Sequence, residues 1–299
     1  MEHGSPTERP DSPSVLANPR SERVRAIRRL SGRSARLRAG RFVAEGPQAV
    51  RAAVTTPHVV AVYATYAATQ RHPDVVRAAR EAGRPVQQVT DEVIAALADT
   101  VTPQGILAVC SLLDVSIDDV VASGPRLVAV LAHVRDPGNA GSVLRAADAA
   151  GADAVVFTQA SVDVYNPKCV RSTAGSVFHL PVVVGVTLGD VVSALRGCGL
   201  RVLAADGAGE HALDEVQAGG GLAGPTAWVF GNEAWGLAKA DAALADDVVR
   251  VPVFGRAESL NLAAAATVCL YASAFAQRGL VPAQASALAS ASAPEVGRS

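Results

Sequence analysis

The sequence predicts an α/β protein in two parts: a small α/β domain, then a larger domain built on a mostly parallel sheet. Two observations carry this. From Leu127 to Gln277, short β-branched runs alternate with helical patterns, and alternation of that kind gives a parallel sheet covered by helices on both faces. Three segments, His133-Val-Arg-Asp-Pro-Gly-Asn-Ala-Gly-Ser-Val-Leu-Arg145, Val229-Phe-Gly-Asn-Glu-Ala-Trp-Gly-Leu237 and Val251-Pro-Val-Phe-Gly-Arg-Ala-Glu-Ser-Leu-Asn261, follow or open on apolar runs and turn at once to Gly, Asn and Ser. Loops at the carboxyl ends of parallel strands do this where they line a ligand crevice. One site built from three loops is the economical reading.

Residues 1–19 are polar and rich in Pro and Ser, and the tail 282–299 shows Ala, Ser and Pro without an apolar period; both are expected to be disordered. Residues 20–111 then read as one domain, 112–125 as a linker and 126–281 as the second domain. From Ser21 an amphipathic helix puts Val24, Ile27, Leu30 and Leu37 on one side. A strand and turn over Phe42–Gly46 follow, then a helix through Val50–Ala53, a strand over Val59–Tyr63, a helix over Pro73–Ala82 and a strand over Val86–Val89. Asp91 is expected to cap a helix over Glu92–Ala98, and Gly105–Cys110 reads as a buried strand. The linker carries several aspartates and ends in Ser-Gly-Pro, which suits a domain joint.

In the second domain, strands are expected at Leu127–Leu131, Ala154–Phe157, Val182–Val184, Arg201–Ala205, Ala227–Phe230 and Val248–Val253. Helices are expected at Ala140–Ala150, Lys168–Phe178, Leu188–Arg196 and Leu260–Gln277.

Composition narrows the function. The chain is 49% apolar but only 4% aromatic, so its cores are built mainly of Ala, Val and Leu. Its first 20 residues lack the basic-then-apolar layout of a signal peptide. The longest uncharged helical stretch, Leu260–Ala276, falls short of the roughly 20 strongly apolar residues a bilayer needs. Four cysteines at positions 110, 169, 198 and 269 have no paired or metal-like spacing. Reduced structural thiols, a cytoplasmic setting, no membrane partner and no metal are therefore expected.

The net charge of −1 hides an asymmetry: nine arginines and one acid, Glu22, fall between Arg20 and Arg41, so this segment is +8 and the remainder −9. A concentrated basic patch on a near-neutral protein suggests a polyanion held at one place, with Arg25, Arg28, Arg29, Arg33, Arg36 and Arg38 as candidate phosphate contacts. The bland account is a solvated arginine-rich helix in a protein that uses only two lysines, Lys168 and Lys239.

In the first motif, Asn139 stands at a helix start with Arg145 six residues on. At about 100° per residue the two side chains lie about 120° short of sharing a face, so Asn139 would act from the loop and Arg145 from the helix. Taken alone, the segment could be only a turn, an N-cap and a surface arginine. Gly231 and Gly236 would let backbone approach a ligand closely, and Glu233 could pair with Arg145 to fix its rotamer. Ser259-Leu-Asn261 could be no more than the N-terminal cap of the last helix.

Together the three motifs resemble those of the SpoU/TrmH family of RNA ribose 2'-O-methyltransferases, in the SPOUT superfamily. The arginine-rich helix, Phe42-Val-Ala-Glu-Gly-Pro47 and Thr102-Pro-Gln-Gly-Ile-Leu-Ala-Val109 resemble the substrate-binding domain, similar in fold to certain RNA-binding ribosomal proteins, that precedes the catalytic domain in many of these enzymes. The resemblance covers about residues 21 to 280. It implies a deep trefoil knot at the C-terminal end of the sheet, a homodimer, S-adenosylmethionine as cofactor and RNA as substrate, with 23S rRNA favoured over tRNA by the preceding domain. It marks Arg145 as the residue acting on the ribose hydroxyl, with Asn139, Glu233, Ser259 and Asn261 beside it. Phe230, Gly231, Asn232, Gly236, Val251, Ser259 and Leu260 would border the cofactor, and Lys168 and Arg171 could reach RNA phosphates.

A guanidinium keeps its proton in nearly all protein settings. The matching arginine could therefore stabilise a developing alkoxide, or lose its proton only once RNA is in place. Two rival functions stand beside this one. A non-catalytic RNA-binding assembly factor is disfavoured because Arg145, Glu233 and Asn261 are all present. A dinucleotide-dependent oxidoreductase lacks its glycine-rich turn with a following acid.

Overall fold

The computed structural model describes residues 15–279. Of the expected disordered ends, positions 1–14 and 282–299 lie outside the described residues. The first domain runs α1 (Glu22–Arg28), a 3-10 turn (Arg29–Ser31), α2 (Arg33–Ala39), β1 (Arg41–Glu45), α3 (Pro47–Val54), β2 (Val59–Thr65), α4 (Tyr66–Arg71), α5 (Pro73–Glu81), β3 (Val86–Val89), α6 (Asp91–Leu97) and β4 (Ile106–Ser111). Its sheet has the order β1-β4-β2-β3, antiparallel except for β2 with β3. One face packs against α1 and α6 through Val24, Ile27, Val93 and Ile94. The other packs against α3 and α5 through Val50, Ala53, Val75 and Ala79.

After α7 (Ile117–Ala122), the second domain runs β5 (Leu127–Leu131), α8 (Pro137–Ala150), β6 (Ala154–Thr158), α9 (Pro167–Ser172), β7 (Val182–Val186), α10 (Leu188–Gly197), β8 (Arg201–Ala205), β9 (His211–Ala212), α11 (Leu213–Ala218), β10 (Thr226–Phe230), α12 (Lys239–Ala242), β11 (Asp247–Arg250) and α13 (Leu262–Gln277). Seven strands lie in the order β7-β6-β5-β10-β8-β11-β9, and every pairing is parallel. The period of two is visible in the cores: Leu127, Ala129 and Leu131 of β5 face one apolar cluster, while Val128 and Val130 face the other. Trp228 is buried on the first face, where its indole Nε1 donates to Ser273 Oγ of α13 at 2.9 Å.

That first cluster continues into the preceding domain. Phe42 of β1 lies 4.6 Å from the Tyr165 ring and 5.9 Å from that of Phe178. The buried ion pair of the junction is made by Arg36, only 3% exposed, with Nη2 2.6 Å from Asp163 Oδ2 and Nη1 donating to the carbonyls of Leu30 and Ser31.

Several expectations need correction. Residues 15–19 belong to the ordered part, since Leu16 N donates to Gln88 O and bridges β3. The arginine-rich helix is broken at Gly32, and Leu37 is 61% exposed rather than packed. Thr90, not Asp91, caps α6 by accepting from Val93 N. The linker holds α7, whose capping box pairs Ser116 with Asp119. The helix expected over Lys168–Phe178 stops at Ser172, because Ala174 and Gly175 both take positive φ before a 3-10 turn. The last strand ends at Arg250 and the last helix starts at Leu262. The thiols of Cys110, Cys169 and Cys269 are buried and free, and burial pushes each up to about 12.

Candidate functional site

The site gathers around the first turn of α8. Asp136 caps this helix, its Oδ1 accepting from Asn139 N at 2.8 Å, with Pro137 in the first turn. Lys168 Nζ stands 2.7 Å from Asp136 Oδ2. That bond, followed by the Asn139 amide, holds the Asp136 carboxyl below the usual carboxylate range. Gly141, one turn on, is required by packing, since a Cβ there would run into the Cys169 carbonyl and Ser172 of α9.

The second motif reaches this turn through Glu233. Its Oε2 accepts from Arg135 N at 3.1 Å; its Oε1 accepts from Asp136 N at 3.0 Å and Asn139 Nδ2 at 3.3 Å. The third motif arrives from the other side, where Asn261 Nδ2 donates to Asn139 Oδ1 at 3.0 Å. The Asn139 amide thus joins all three motifs. Asn261 also caps α13, accepting from Ala263 N at 2.9 Å, so its two roles share one side chain.

The loop after β10 is closed on itself. Asn232 and Gly236 exchange backbone hydrogen bonds of 2.8 and 3.0 Å, Asn232 Oδ1 accepts from Ala234 N, and Asn232 Nδ2 donates to the His133 carbonyl. A Cβ on Gly231 would stand 2.5 Å from the Gly236 carbonyl carbon and oxygen. The glycine therefore serves the loop's own closure first, rather than leaving room for a ligand. His133, at φ 60, is one of only two non-glycine residues with positive φ among the described residues, and its Nε2 lies 3.0 Å from Asp241 Oδ2.

Asp206 belongs to none of the three motifs. It follows β8 directly, and its Oδ2 accepts from Leu237 N at 3.1 Å, fixing the far side of the same loop. Its position just past a strand's carboxyl end was the available signal.

Phe230 pairs with Leu131 on one side and Ala205 on the other, and Val249 also meets Ala205, so the loops after β5, β8, β10 and β11 open at one edge. Residues 252–260 of the last loop make no hydrogen bond among the described residues. Ser259 and Leu260 are exposed there, and Val251 is half-buried. Free backbone donors and acceptors beside a tightly closed glycine loop suit a nucleoside-like molecule recognised by main chain, and S-adenosylmethionine fits that description.

The structure leaves Arg145 outside the cluster. It is exposed on α8, its side chain without a hydrogen bond or ion pair among the described residues, about 9 Å along the helix axis from Asn139. The expected pairing with Glu233 is absent, because both carboxylate oxygens already accept from the first motif. Ser259 likewise stays apart from the Asn139 network.

Of the candidate RNA contacts, Arg25, Arg28, Arg29, Arg33 and Arg38 are exposed. Arg36 is corrected: buried against Asp163 and two carbonyls, it ties the domains together and offers nothing to a phosphate. Arg171 is engaged across the same junction with Asp99 at 2.9 Å and Glu45 at 3.7 Å, and Lys168 is held by Asp136.

Comparison with known proteins agrees with this architecture. Residues 126–271 match the SpoU rRNA Methylase family, and residues 21–108 match an MRM3-like substrate binding domain. The chain is 31% identical over 262 residues to the 23S rRNA (guanosine(2553)-2'-O)-methyltransferase RlmP of Bacillus subtilis (strain 168), covering 86% of this chain and 97% of that protein. It is 33% identical over 287 residues to the 23S rRNA (uridine(2479)-2'-O)-methyltransferase of Streptomyces viridochromogenes, covering 86% and 95%. An AdoMet-bound rRNA methyltransferase from Sinorhizobium meliloti superposes with a TM-score of 0.77 at 28% identity, over 90% of this chain and 98% of that one.

Proposed function

The chain belongs to the SpoU rRNA methylase family, and from that premise we propose that it transfers a methyl group from S-adenosylmethionine to a ribose 2'-hydroxyl of 23S rRNA. The observation that carries this reading is the hydrogen-bonded chain Glu233–Asn139–Asn261, which assembles three separated motifs at one helix start. When bound, S-adenosylmethionine would supply an electrophilic methyl on its sulfonium to the ribose oxygen, the S–C bond pair staying with sulfur as the thioether and the hydroxyl proton passing to solvent.

The chain's own residues do the positioning. Glu233 pins the backbone of Arg135 and Asp136 and so sets where α8 begins. Asn139 is held at both ends of its amide, which keeps the first and third loops in register. Arg145 projects from the same helix with its donors unspent, free to meet the ribose oxygen as negative charge develops there. The backbone of Gly231–Gly236, Val251 and residues 252–260 would hold the cofactor, and Phe230 closes the sheet beneath it.

We also read the region from β8 to β11 as a deep trefoil knot. The chain inserts β10 between β5 and β8, then β11 between β8 and β9, so it returns twice into a sheet already laid down. A homodimer is supported by the exposed Val268 and Phe275 of α13 and by Phe254, 91% exposed. Sedimentation at micromolar concentration should give a dimer mass; a monomer alone would remove it. No helix among the described residues is long and apolar enough to cross a membrane; the cytoplasmic setting we propose rests on the bacterial 23S rRNA methyltransferase relatives. Mapping ribose methylation on total RNA from cells with and without the protein tests the function. One 2'-O-methyl mark in 23S rRNA should vanish with the protein, and an unchanged map would overturn the assignment.

A further inference from the structure

We propose that a cavity on the first domain, away from the catalytic loops, receives an unpaired nucleotide of the substrate RNA, with Tyr66 as its stacking platform. The proposal rests on the RNA reading above and extends it to a second contact site. The cavity measures about 490 Å³ between α4, α5 and β3, within the roughly 300–1,000 Å³ typical of small-molecule sites.

Its walls follow from the sequence pattern. Pro73, Val76, Arg77 and Arg80 recur at three- and four-residue spacing and so share one face of α5, two apolar and two cationic, with the Glu81 carboxylate also lining the cavity. Opposite them, Val86 and Gln88 point to one side of β3. Thr65 caps α4 by accepting from Ala68 N at 3.2 Å, which fixes the turn carrying Tyr66. That ring is 65% exposed.

Several of the polar lining groups have hydrogen-bonding capacity to spare. The Arg80 guanidinium makes no hydrogen bond or ion pair among the described residues, and Arg77 meets only Glu81, at 3.9 Å between two exposed side chains, an interaction worth little. Gln70 and Gln88 present amides that both donate and accept. An aromatic face, amide edges, one free guanidinium and a second only weakly engaged are what an unpaired ribonucleotide requires for its base, its Watson–Crick edge and its phosphate.

The position of β3 links the cavity to the arginine segment. Gln88 faces the cavity, while its neighbour Gln87 accepts from Arg23 Nη1 at 3.3 Å on the other face. One RNA strand rounding the β3 side of the domain would therefore meet both. Leu16 bridges the β3 edge itself, leaving the RNA strand to cross the faces beside it, and the other sheet edge, β1, is occupied by the second domain through Phe42 and Tyr165.

The test uses the full-length protein and an in vitro 23S rRNA transcript, with affinity measured by filter binding at several salt concentrations. Tyr66→Ala should raise Kd roughly 5- to 150-fold, the change expected for one lost base stack, while Tyr66→Phe keeps the wild-type affinity. Arg80→Glu should flatten the salt dependence by about 0.7 to 0.9 log unit per lost phosphate contact. Unaltered thermal melting and S-adenosylmethionine binding in these variants would place the loss at the cavity. Wild-type protein that binds and methylates the transcript while Tyr66→Ala binds equally well overturns the cavity and leaves the function intact. Wild-type protein that neither binds nor methylates any 23S transcript overturns the RNA reading and the cavity with it. A Tyr66→Ala defect seen only on protein-bearing ribosomal particles would assign the cavity to a protein partner and likewise reject the proposal.

Discussion

Replacing Arg36 by Met should destabilise the protein more than the same replacement at any other arginine of the arginine-rich segment. The guanidinium is almost wholly buried, donates through Nε and Nη2 to Asp163 Oδ2, and satisfies the carbonyls of Leu30 and Ser31 through Nη1. Met keeps similar bulk but leaves a carboxylate that is only 15% exposed with Tyr165 N as its remaining hydrogen-bond donor, along with two carbonyls without their donor. Breaking a buried pair on one side costs about 3–5 kcal/mol, and each stranded carbonyl alone would cost about 1–3 kcal/mol, terms that overlap rather than add. Against a total stability of about 5–15 kcal/mol this is a large share. Urea unfolding followed by tryptophan fluorescence measures it directly. Removing both charges with Arg36→Met and Asp163→Leu should recover most of the loss, since apolar replacement of a buried pair is often near neutral. A single-variant cost below about 1 kcal/mol, or a double variant no better than the two losses combined, would refute the argument that Arg36 is a strut between domains.

Gly231→Val should abolish calorimetrically detected S-adenosylmethionine binding, because its side chain would collide with the Gly236 carbonyl and force open the loop after β10; unchanged binding in a folded variant would place the cofactor elsewhere. Asp136, held low by Lys168, contributes stability that is present above the unfolded carboxylate range near ~3.9 and lost as pH falls through its lower folded value. The stability gap between wild type and Asp136→Asn should therefore stay constant from pH 7 to about 5 and close at lower pH, with a size below about 1 kcal/mol for so exposed a pair; a gap that widens in acid would contradict the assignment. Reversing Arg25, Arg29, Arg33 and Arg38 to Glu should weaken RNA binding and flatten its salt slope while leaving cofactor affinity alone; parallel slopes with equal affinity would make the segment a solvated face.

Much of the catalytic domain was legible because its signals are local. A period of two in Leu127–Leu131 or Ala227–Phe230, flanked by helical patterns, fixes a parallel strand without reference to anything distant. The same locality made the three loops visible, and Asn139, Glu233 and Asn261 do converge. What stayed hidden depends on contacts made across the chain. Whether Arg36 faces water or Asp163 is decided by a partner 127 residues away, and nothing in an arginine-rich helix distinguishes its one buried member. Charge alone pairs Glu233 with Arg145, whereas backbone amides of the first motif take both its oxygens. Ala174 takes a left-handed conformation beside Gly175, so a helix that reads as continuous from Lys168 to Phe178 is cut in two.

Single-turnover methyl transfer by Arg145→Ala, measured beside a cofactor titration of the same protein, tests the central claim most directly. If Arg145 serves the chemical step and the loops after β10 and β11 hold the cofactor, transfer to the 23S transcript should fall by at least about 100-fold with S-adenosylmethionine affinity unchanged. Near-normal transfer in that variant, or a loss accounted for wholly by weaker cofactor binding, would contradict the account.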